Sequence, residues 1–274
     1  RMRQPSMYRV HDEPTQEKLD ALREFLDTIG LRLVRGQVMR PAHFDIILEK
    51  ARRTPHAQIV NEVVLRSQAQ AEYAPENIGH FGLALVRYCH FTSPIRRYSD
   101  ILVHRALIRG LKLGTGGLEE AHRDFRRMGA HLSFTERRAQ EAERDAIDRF
   151  TAAYLSERVG ATFAGKVRGV TRAGLFVTLD ETGADGLLPM SMLGGERYVL
   201  DERRHRLKGQ RTGREFRLGD RLRVTLREAD PVTGGMIFVR AEENGDSSRP
   251  RNGRLPLWPG KGPRGRFRRE ARRG

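Results

Sequence analysis

The sequence predicts an α+β protein in three parts: a mainly helical region, a small five-stranded β-barrel and a disordered basic tail. Residues 1 to 158 repeat apolar side chains at helical spacing. From residue 159 to residue 243, short β-prone runs alternate with glycine, which is typical of a small barrel. Residues 244 to 274 are rich in Pro, Gly, Arg and Ser and have few apolar side chains, so we expect them to be disordered.

Helices dominate the predicted organisation of the first part. One helix is expected after Pro14-Thr15, a second after Pro41 and a third after Pro55, because apolar residues follow each of them at helical spacing. A long helix is expected to begin at Ser133, where Ser133-Phe134-Thr135-Glu136 fits a capping box. Gly160 is a suitable residue to follow its end.

β-Strands are expected in two places. Residues 82 to 88 form a short apolar run in the first part and are predicted to be a strand. The barrel accounts for the others. Its five strands are expected at Phe163–Val170, Leu175–Leu179, Tyr198–Leu200, Arg221–Leu226 and Met236–Val239.

The charge of the chain indicates a polyanionic partner. Its 274 residues carry a formal net charge of +16, and residues 249 to 274 alone contain ten Arg and Lys against one Glu. Such an excess favours binding to nucleic acid. Cys89 is the only cysteine, which excludes an intrachain disulfide and fits a reducing compartment. No apolar run reaches the roughly 18 residues that a membrane span needs.

The segment around Ser93 has the features of an anion site. Ser93 is a good helix N-cap and Pro94 suits the first helical position, so Arg96 and Arg97 are expected in the first turn. Cations there oppose the helix dipole by roughly 0.3–1 kcal/mol each. A bound phosphate would offset that cost. The alternative is that one arginine pairs with Asp100 and the other is solvated, and the residues alone leave both open.

A longer run of residues carries a family resemblance. Residues 88 to 100 read Tyr-Cys-His-Phe-Thr-Ser-Pro-Ile-Arg-Arg-Tyr-Ser-Asp, with His104-Arg105 following, and this run resembles the signature of the RNB catalytic domain of RNase II and RNase R. The resemblance implies hydrolysis of RNA from the 3′ end, one nucleotide at a time, with Mg²⁺ held by aspartates. It implies that Arg96 contacts a phosphate near the scissile bond. Arg97 and Tyr98 are expected to have supporting roles in RNA binding.

Glu143 is a second candidate catalytic residue. It lies on a helical stripe of small and apolar residues that includes Ala139, Ala146 and Phe150, where a carboxylate is costly unless it is paired or functional. The pattern alone favours a partly exposed glutamate paired with Arg144 or with a neighbouring helix. The family resemblance extends to the Ala-Glu-Arg-Asp segment at residues 142 to 145, and it implies that Glu143 reaches the catalytic cavity.

The predicted barrel resembles the RNA-binding OB-fold module of the ribosomal-protein S-one type. The resemblance rests on Gly165-Lys166-Val167, on Gly174-Leu175-Phe176-Val177 and on the run from Asp185 to Ser191. Two positions depart from the pattern, because Ala173 replaces an aromatic residue and Pro189 replaces a histidine. Such modules stack bases on aromatic side chains beside a basic groove. Phe176 is the expected platform, unless it belongs to the barrel core. The expected basic residues beside it are Lys166, Arg168 and Arg172.

These resemblances imply the carboxy-terminal part of an exoribonuclease: half of an RNB domain, an OB-fold barrel and a basic tail. Nothing in the chain resembles the family's metal-binding aspartates, so the Mg²⁺ ligands are expected outside it. The chain begins Arg1-Met2, which fits a part of a longer protein. Expected partners are single-stranded or 3′-tailed RNA and the ribosome, for a cytoplasmic monomer without membrane contact. Two alternatives stay open: a stand-alone RNA-binding module, and a catalytic subunit completed by a second chain.

Overall fold

The computed structural model describes residues 4–36, 38–119, 124–202 and 204–241. The predicted tail, residues 244 to 274, lies outside the described residues. The described chain has a helical part followed by a β-rich part. The helical part contains β1 (Tyr8–Val10), α1 (Gln16–Thr28), α2 (Pro41–Arg52), α3 (Ala57–Ser67), β2 (Glu72–Ala74), α4 (Tyr98–Leu111) and α5 (Phe125–Ser156). The β-rich part contains β3 (Thr162–Val170), β4 (Gly174–Leu179), β5 (Asp185–Pro189), β6 (Tyr198–Asp201), β7 (Arg206–Gly209), β8 (Glu215–Arg217), β9 (Arg221–Asp230) and β10 (Gly235–Arg240).

Helices α1, α2 and α3 confirm the first three predicted helices. The Thr15 hydroxyl caps α1, and Pro41 is the first residue of α2, where its missing N–H costs no hydrogen bond. The apolar faces of the three helices pack into one core that includes Leu26 and Ile47. Leu218 of the β-rich part is buried in the same core. The helical and β-rich parts are therefore packed against each other.

Helix α5 begins about two turns before the predicted point. Its first residue is Phe125, and the Asp124 carboxylate accepts the Arg127 N–H at 3.0 Å. Ser133 is buried inside the helix, where its hydroxyl donates to the Gly129 carbonyl at 3.0 Å and accepts the Tyr73 N–H at 2.8 Å. The predicted capping box at Ser133 is therefore wrong, because the serine bonds to strand β2 instead of capping a helix.

The contact between α5 and β2 depends on a glycine. A Cβ atom built on Gly129 would lie 2.4 Å from the backbone oxygen of Tyr73, which no side chain can occupy. β2 pairs in turn with β1, antiparallel, with Arg9 opposite Tyr73. The small two-stranded sheet therefore lies directly on the amino-terminal end of α5.

The predicted strand at residues 82 to 88 is wrong. Residues Phe81–Leu83 form a 3₁₀ turn, and Ala84 follows in the left-handed region with φ of 55°. Two histidines account for the turn, because His11 Nδ1 accepts the Gly82 N–H at 2.7 Å and His80 Nδ1 accepts the Leu83 N–H at 3.2 Å. These bonds use the backbone donors that a strand would need for pairing.

The predicted five-stranded barrel is confirmed. β3, β4, β5, β9 and β10 close in the order β10-β5-β4-β3-β9. One strand differs from the prediction, because the third barrel strand is Asp185–Pro189 and the expected strand at Tyr198–Leu200 lies elsewhere. Tyr198–Asp201 is β6 of a separate three-stranded sheet, in the order β6-β7-β8, inserted between β5 and β9.

The barrel is attached to the helical part at the end of α5. Ala152 and Leu155 are fully buried in the barrel core, and α5 ends at Ser156, before Gly160 as predicted. Gly234, between β9 and β10, lies against the backbone of α5. A Cβ atom built on Gly234 would lie 3.0 Å from the backbone carbonyl carbon of Asp148. Among the helices of the described residues, none has both the length and the apolar composition needed to cross a bilayer.

Candidate nucleic-acid interface

The segment with the RNB-like signature forms a tight turn that precedes α4. The N–H groups of Arg96 and Arg97 both donate to the Ser93 carbonyl, at 3.2 and 3.1 Å. Arg97 is extended, with φ of −129° and ψ of 114°, and is the N-cap residue of α4, which starts at Tyr98. The prediction that Ser93 caps this helix and Pro94 opens it is therefore wrong. Neither arginine lies within the first helical turn.

A buried carboxylate explains why the helix starts where it does. Asp100 is completely buried, and its two oxygens accept hydrogen bonds from Arg97 Nε and Nη2, both at 3.0 Å. They also accept the Ser93 backbone N–H at 2.7 Å and the Ser99 hydroxyl at 3.1 Å. Asp100 is the third residue of α4, where the positive end of the helix dipole favours an anion. This carboxylate joins both ends of the turn to the helix, and we call the arrangement the Asp100 clamp.

The clamp keeps Asp100 ionised. Burial alone would raise the pKa of this carboxyl group, but the hydrogen bonds from Arg97, from the Ser93 backbone and from Ser99 outweigh burial and lower the pKa below its ordinary value. The hydrogen bonds from Arg97 to Asp100 also raise the pKa of Arg97. The pair is therefore a permanent ion pair at neutral pH.

Arg96 is left exposed by the same arrangement. It lies between Ile95, which is fully exposed, and the clamped Arg97, and none of the ion pairs among the described residues includes Arg96. Of the two alternatives at this segment, the structure has the pairing of one arginine with Asp100, and the other arginine is exposed to solvent. Tyr98 is 43% exposed beside them.

An exposed aromatic stack lies on the same segment. The rings of Phe91 and His104 are parallel, with centroids 4.2 Å apart and an interplanar angle of 6°. His104 Nε2 also bonds to the Phe91 carbonyl at 2.8 Å, so the stack is held at two points. It ties the start of the signature to the side of α4.

Residues from β1, β2 and α5 pack against His90 of the signature, and of this group the sequence motif includes His90 alone. Tyr73 bonds to His90 Nδ1 at 2.9 Å, and the Arg9 guanidinium lies 4.6 Å from the Tyr73 ring centroid. Arg9 also forms an ion pair with Glu136 of α5 at 2.6 Å. Burial lowers the pKa of His90, so this histidine is neutral at pH 7. The spacing of these residues along the chain gives no sign that they meet, because β1, β2 and α5 bring them together only in the fold.

Glu143 lies in the middle of α5 and is exposed to solvent. The expected stripe around it, Ala139, Ala146 and Phe150, is exposed as well, so within the described residues it packs against nothing. The expected pairing with Arg144 is absent from the ion pairs of the described residues. Arg96 and Glu143 therefore both present their side chains to solvent.

The predicted basic residues of the barrel are held by neighbouring carbonyl and carboxylate groups. Lys166 bonds to Gln58 of α3, and Arg168 lies 3.5 Å from Glu62 of α3 and 3.7 Å from Asp185. Arg172 pairs with Glu202 at 3.2 Å, between two well-exposed side chains. Lys166 and Arg168 therefore connect the barrel to α3, in addition to any role in binding RNA.

Phe176 is a surface residue of the barrel, outside its buried core. It is half-buried on the outer face of β4 and lies opposite Gly169 of β3. A Cβ atom at Gly169 would be 3.3 Å from the Phe176 side chain, so the ring covers the glycine. One face of the ring is thus fixed by the barrel surface, as an aromatic platform requires.

The described residues do not fit a metal ion. They contain no group of three or more His, Cys, Asp or Glu side chains arranged as ligands.

Comparisons with known proteins agree with this organisation. The model of the RNB domain matches residues 1–112, and the model of the S1 RNA binding domain matches residues 156–240. Ribonuclease R of Aquifex aeolicus is 44% identical over 239 residues, which cover 87% of this chain and 34% of that protein. Ribonuclease R of Escherichia coli is 39% identical over 233 residues, covering 82% and 29%.

Solved structures give the same result. The apo form of Mycoplasma genitalium RNase R aligns with a TM-score of 0.75 at 27% identity, covering 86% of this chain and 38% of that one. The complex of the same enzyme with ribose methylated single-stranded RNA aligns with a TM-score of 0.76 at 28% identity. The chain spans about a third of the length of these relatives.

A helical part that matches the RNB domain, followed by a closed barrel that matches the S1 RNA binding domain, is the organisation of an RNA-binding protein. The Ribonuclease R relatives are similar to this chain over more than four fifths of its length. The chain belongs to the RNB family.

The clamp gives a testable prediction about stability. Asp100→Asn keeps the shape of the side chain but removes its charge, so it should lower the free energy of unfolding by about 1.5–3 kcal/mol, the range for hydrogen bonds to charged groups. The measurement is chemical denaturation at neutral pH. The exposed Asp45→Asn on α2 is the matched control and should have little effect.

The pH dependence distinguishes the clamp from a general packing defect. A carboxylate with a lowered pKa stabilises the fold above its ordinary pKa, and this contribution is lost as the pH falls through the pKa of the folded state. The stability difference between the native chain and Asp100→Asn should therefore shrink in acid. A difference that stays constant down to acid pH would contradict the prediction.

Proposed function

We propose that this chain is the RNA-binding, carboxy-terminal part of a processive 3′-to-5′ exoribonuclease of the Ribonuclease R type, which hydrolyses RNA to nucleoside 5′-monophosphates. The observation that carries the proposal is the Asp100 clamp, which immobilises Arg97 and leaves Arg96 exposed. The similarity to Ribonuclease R from several bacteria supports the choice of family. So does the RNA-bound structure of the Mycoplasma genitalium enzyme.

Arg96 is the residue we assign to the scissile phosphate. Its guanidinium group can donate two parallel hydrogen bonds to phosphate oxygens, and its position on a short turn limits how far it can move. A positioned cation of this kind stabilises charge that develops on the phosphate during cleavage. Arg97 acts on RNA through the clamp, as a positioning residue, and Tyr98 offers an exposed ring beside Arg96.

Glu143 is the second residue that we assign to the catalytic cavity of the parent protein. Its charge has no partner among the described residues, and it lies on an apolar helix face that a neighbouring part of the parent would cover. In such a setting the carboxylate can orient a water molecule or the 3′-terminal nucleotide. The Mg²⁺ ion that such hydrolysis uses is assigned to ligands outside this chain.

The barrel is assigned to RNA binding upstream of the reacting end. Phe176 is the stacking platform, with Lys166, Arg168 and Arg172 as phosphate contacts. The proposed partner is single-stranded or 3′-tailed RNA bound by a monomer in the cytoplasm. Ribosome association stays a prediction from the basic tail.

The alternative of a stand-alone RNA-binding module fits one observation less well. The carboxy-terminal half of α5 exposes large apolar side chains, with Phe150 78% and Ile147 58% exposed. Contiguous apolar surface of this kind marks a protein contact. A longer parent protein, or a second chain that completes the domain, would cover this face, whereas a stand-alone module leaves it in water.

The first test separates binding from hydrolysis. This chain should bind a labelled single-stranded oligoribonucleotide and leave it intact in Mg²⁺, while the protein read from the complete gene should release nucleoside 5′-monophosphates. Binding is measured by fluorescence anisotropy and products by chromatography. EDTA-sensitive release of mononucleotides by the chain alone would refute the proposed division, and an inactive complete protein would favour the stand-alone module.

The second test concerns Arg96 in the complete protein. Arg96→Ala should slow cleavage far more than it weakens RNA binding, because one phosphate contact among many matters mainly at the reacting centre. Arg96→Lys should restore only part of the rate, because the two-pronged hydrogen bonding is lost. Single-turnover rates and equilibrium binding are measured on the same preparations.

Arg53→Ala is the matched control for Arg96, because Arg53 is also an exposed arginine of the helical part. It should change neither quantity. Equal losses of affinity and rate in Arg96→Ala would contradict the assignment to the reacting phosphate.

The third test concerns Glu143 in the complete protein. Glu143→Gln keeps the size of the side chain and removes its charge, so turnover should fall while thermal stability stays nearly unchanged. Glu141→Gln, an exposed glutamate two residues away on the same helix, is the control and should alter neither. Reduced stability with normal turnover per folded molecule would show a structural role instead.

A further inference from the structure

A second basic surface lies on the barrel, away from Phe176. An open groove of about 700 Å³ runs between β8 and the outer face of β9, and it reaches the end of β10. Four arginines line it, whereas the groove contains only two acidic residues, Glu215 and Asp220. The arginines are Arg214, Arg221, Arg223 and Arg240.

The acidic residues of the groove do not neutralise these arginines. The Glu215 carboxylate accepts hydrogen bonds from Arg206 and from Arg217. The bond from Arg217 Nε is 3.0 Å long. Asp220 accepts the backbone N–H of Arg217 at 2.7 Å, and burial raises the pKa of its carboxyl group. Both carboxylates are therefore committed to groups other than the four groove arginines.

The arginines themselves keep their charge available. Arg214 and Arg223 are exposed and form no ion pair within the described residues. Arg221 has one distant partner, Asp180 at 3.7 Å, with both side chains well exposed. Arg240 donates to the Leu193 carbonyl at 3.3 Å and has no ion pair among the residues that the structure describes.

The geometry of β9 suits an extended anion. Arg221 and Arg223 are two residues apart on one strand, so both point outward on the same face, at a spacing of about 6.8 Å. Arg221 lies directly opposite Lys166 of β3 in the strand register. The groove therefore continues the basic surface beside Phe176 around the barrel, with Lys166 between the two.

The floor of the groove has no base-stacking platform. Phe216, the aromatic residue that lines it, is buried beneath the surface. Thr162 and Thr225, at one end, bond to each other at 2.9 Å across β3 and β9. A ligand there would meet guanidinium groups but no exposed aromatic ring, which favours contacts to phosphate oxygens over base stacking.

We propose that the groove formed by Arg214, Arg221, Arg223 and Arg240 is a second RNA-binding track, which holds the phosphate backbone of a strand that has passed the Phe176 face. This inference rests on the proposed RNA-binding function and extends it to a surface with a different chemistry. Binding in the groove depends on charge and strand length and carries no base preference.

The test removes two groove charges without altering the rest of the barrel. Arg221→Gln with Arg223→Gln should reduce the salt slope of binding, the change of log affinity with log salt, by about 1.4, because each lost phosphate contact contributes about 0.7 for a single strand. Arg52→Gln with Arg53→Gln, which removes the same net charge from the carboxy-terminal end of α2 and its C-cap residue, is the control. All variants keep residues 242 to 274.

Strand length separates the two surfaces. An oligouridylate of about 16 nucleotides, the upper site size of one OB-fold, should show the change in slope, while one of about 4 nucleotides should not. Phe176→Ala should weaken binding of both lengths and leave the salt slope nearly unchanged. Oligoadenylate should give the same change in slope as oligouridylate.

The outcomes are distinct for the two proposals. A slope equal to that of the α2 control would overturn the second track, even if the chain binds RNA well. The groove would then be assigned to an acidic protein instead of RNA. Failure of the unaltered chain to bind either oligonucleotide would overturn the RNA-binding function, and the second track with it. Should the double variant unfold, Arg223→Gln alone is expected to change the slope by about 0.7.

Discussion

The buried carboxylate of Asp100 is the constraint on which the rest of the site depends. A carboxylate without access to water has to be satisfied by donors from the protein. Here the donors come from both ends of one turn, the Ser93 backbone and the Arg97 guanidinium, and from Ser99. Ile95 and Arg96 lie between these donors on the turn and are exposed to solvent. The turn that buries Asp100 thus holds Arg96 at the surface.

The basic residues of the barrel fall into two groups with different partners. On the side that faces α3, Lys166 and Arg168 bond to Gln58 and Glu62, so their charge contributes to domain contact. On β9 the arginines have few acidic partners, and their charge is available to a ligand. A sequence gives the total charge of a domain but not this division, because the partners are supplied by a different part of the chain.

Local sequence signals predicted the elements whose ends are determined locally. Helices α1 to α3 and the barrel follow from apolar spacing, capping residues and glycine positions. The signals failed where a distant residue uses the same groups: Asp100 takes the Ser93 N–H, and Tyr73 takes the Ser133 hydroxyl that was expected to cap α5. For the site, the motif identified the turn, while the residues alone left the pairing of Arg97 with Asp100 as one of two alternatives.

Helix α5 has a mechanical consequence. It contacts β2 at Ser133 and enters the barrel core at Ala152, and 19 residues of α-helix separate these points by about 28 Å. The barrel also contacts α3 through Lys166 and Arg168, and Leu218 of the β-rich part is buried in the helical core. An RNA strand that touches both the barrel and the Arg96 turn must therefore cover a constant distance. The length of α5 therefore sets how many nucleotides such a strand needs between the two contacts.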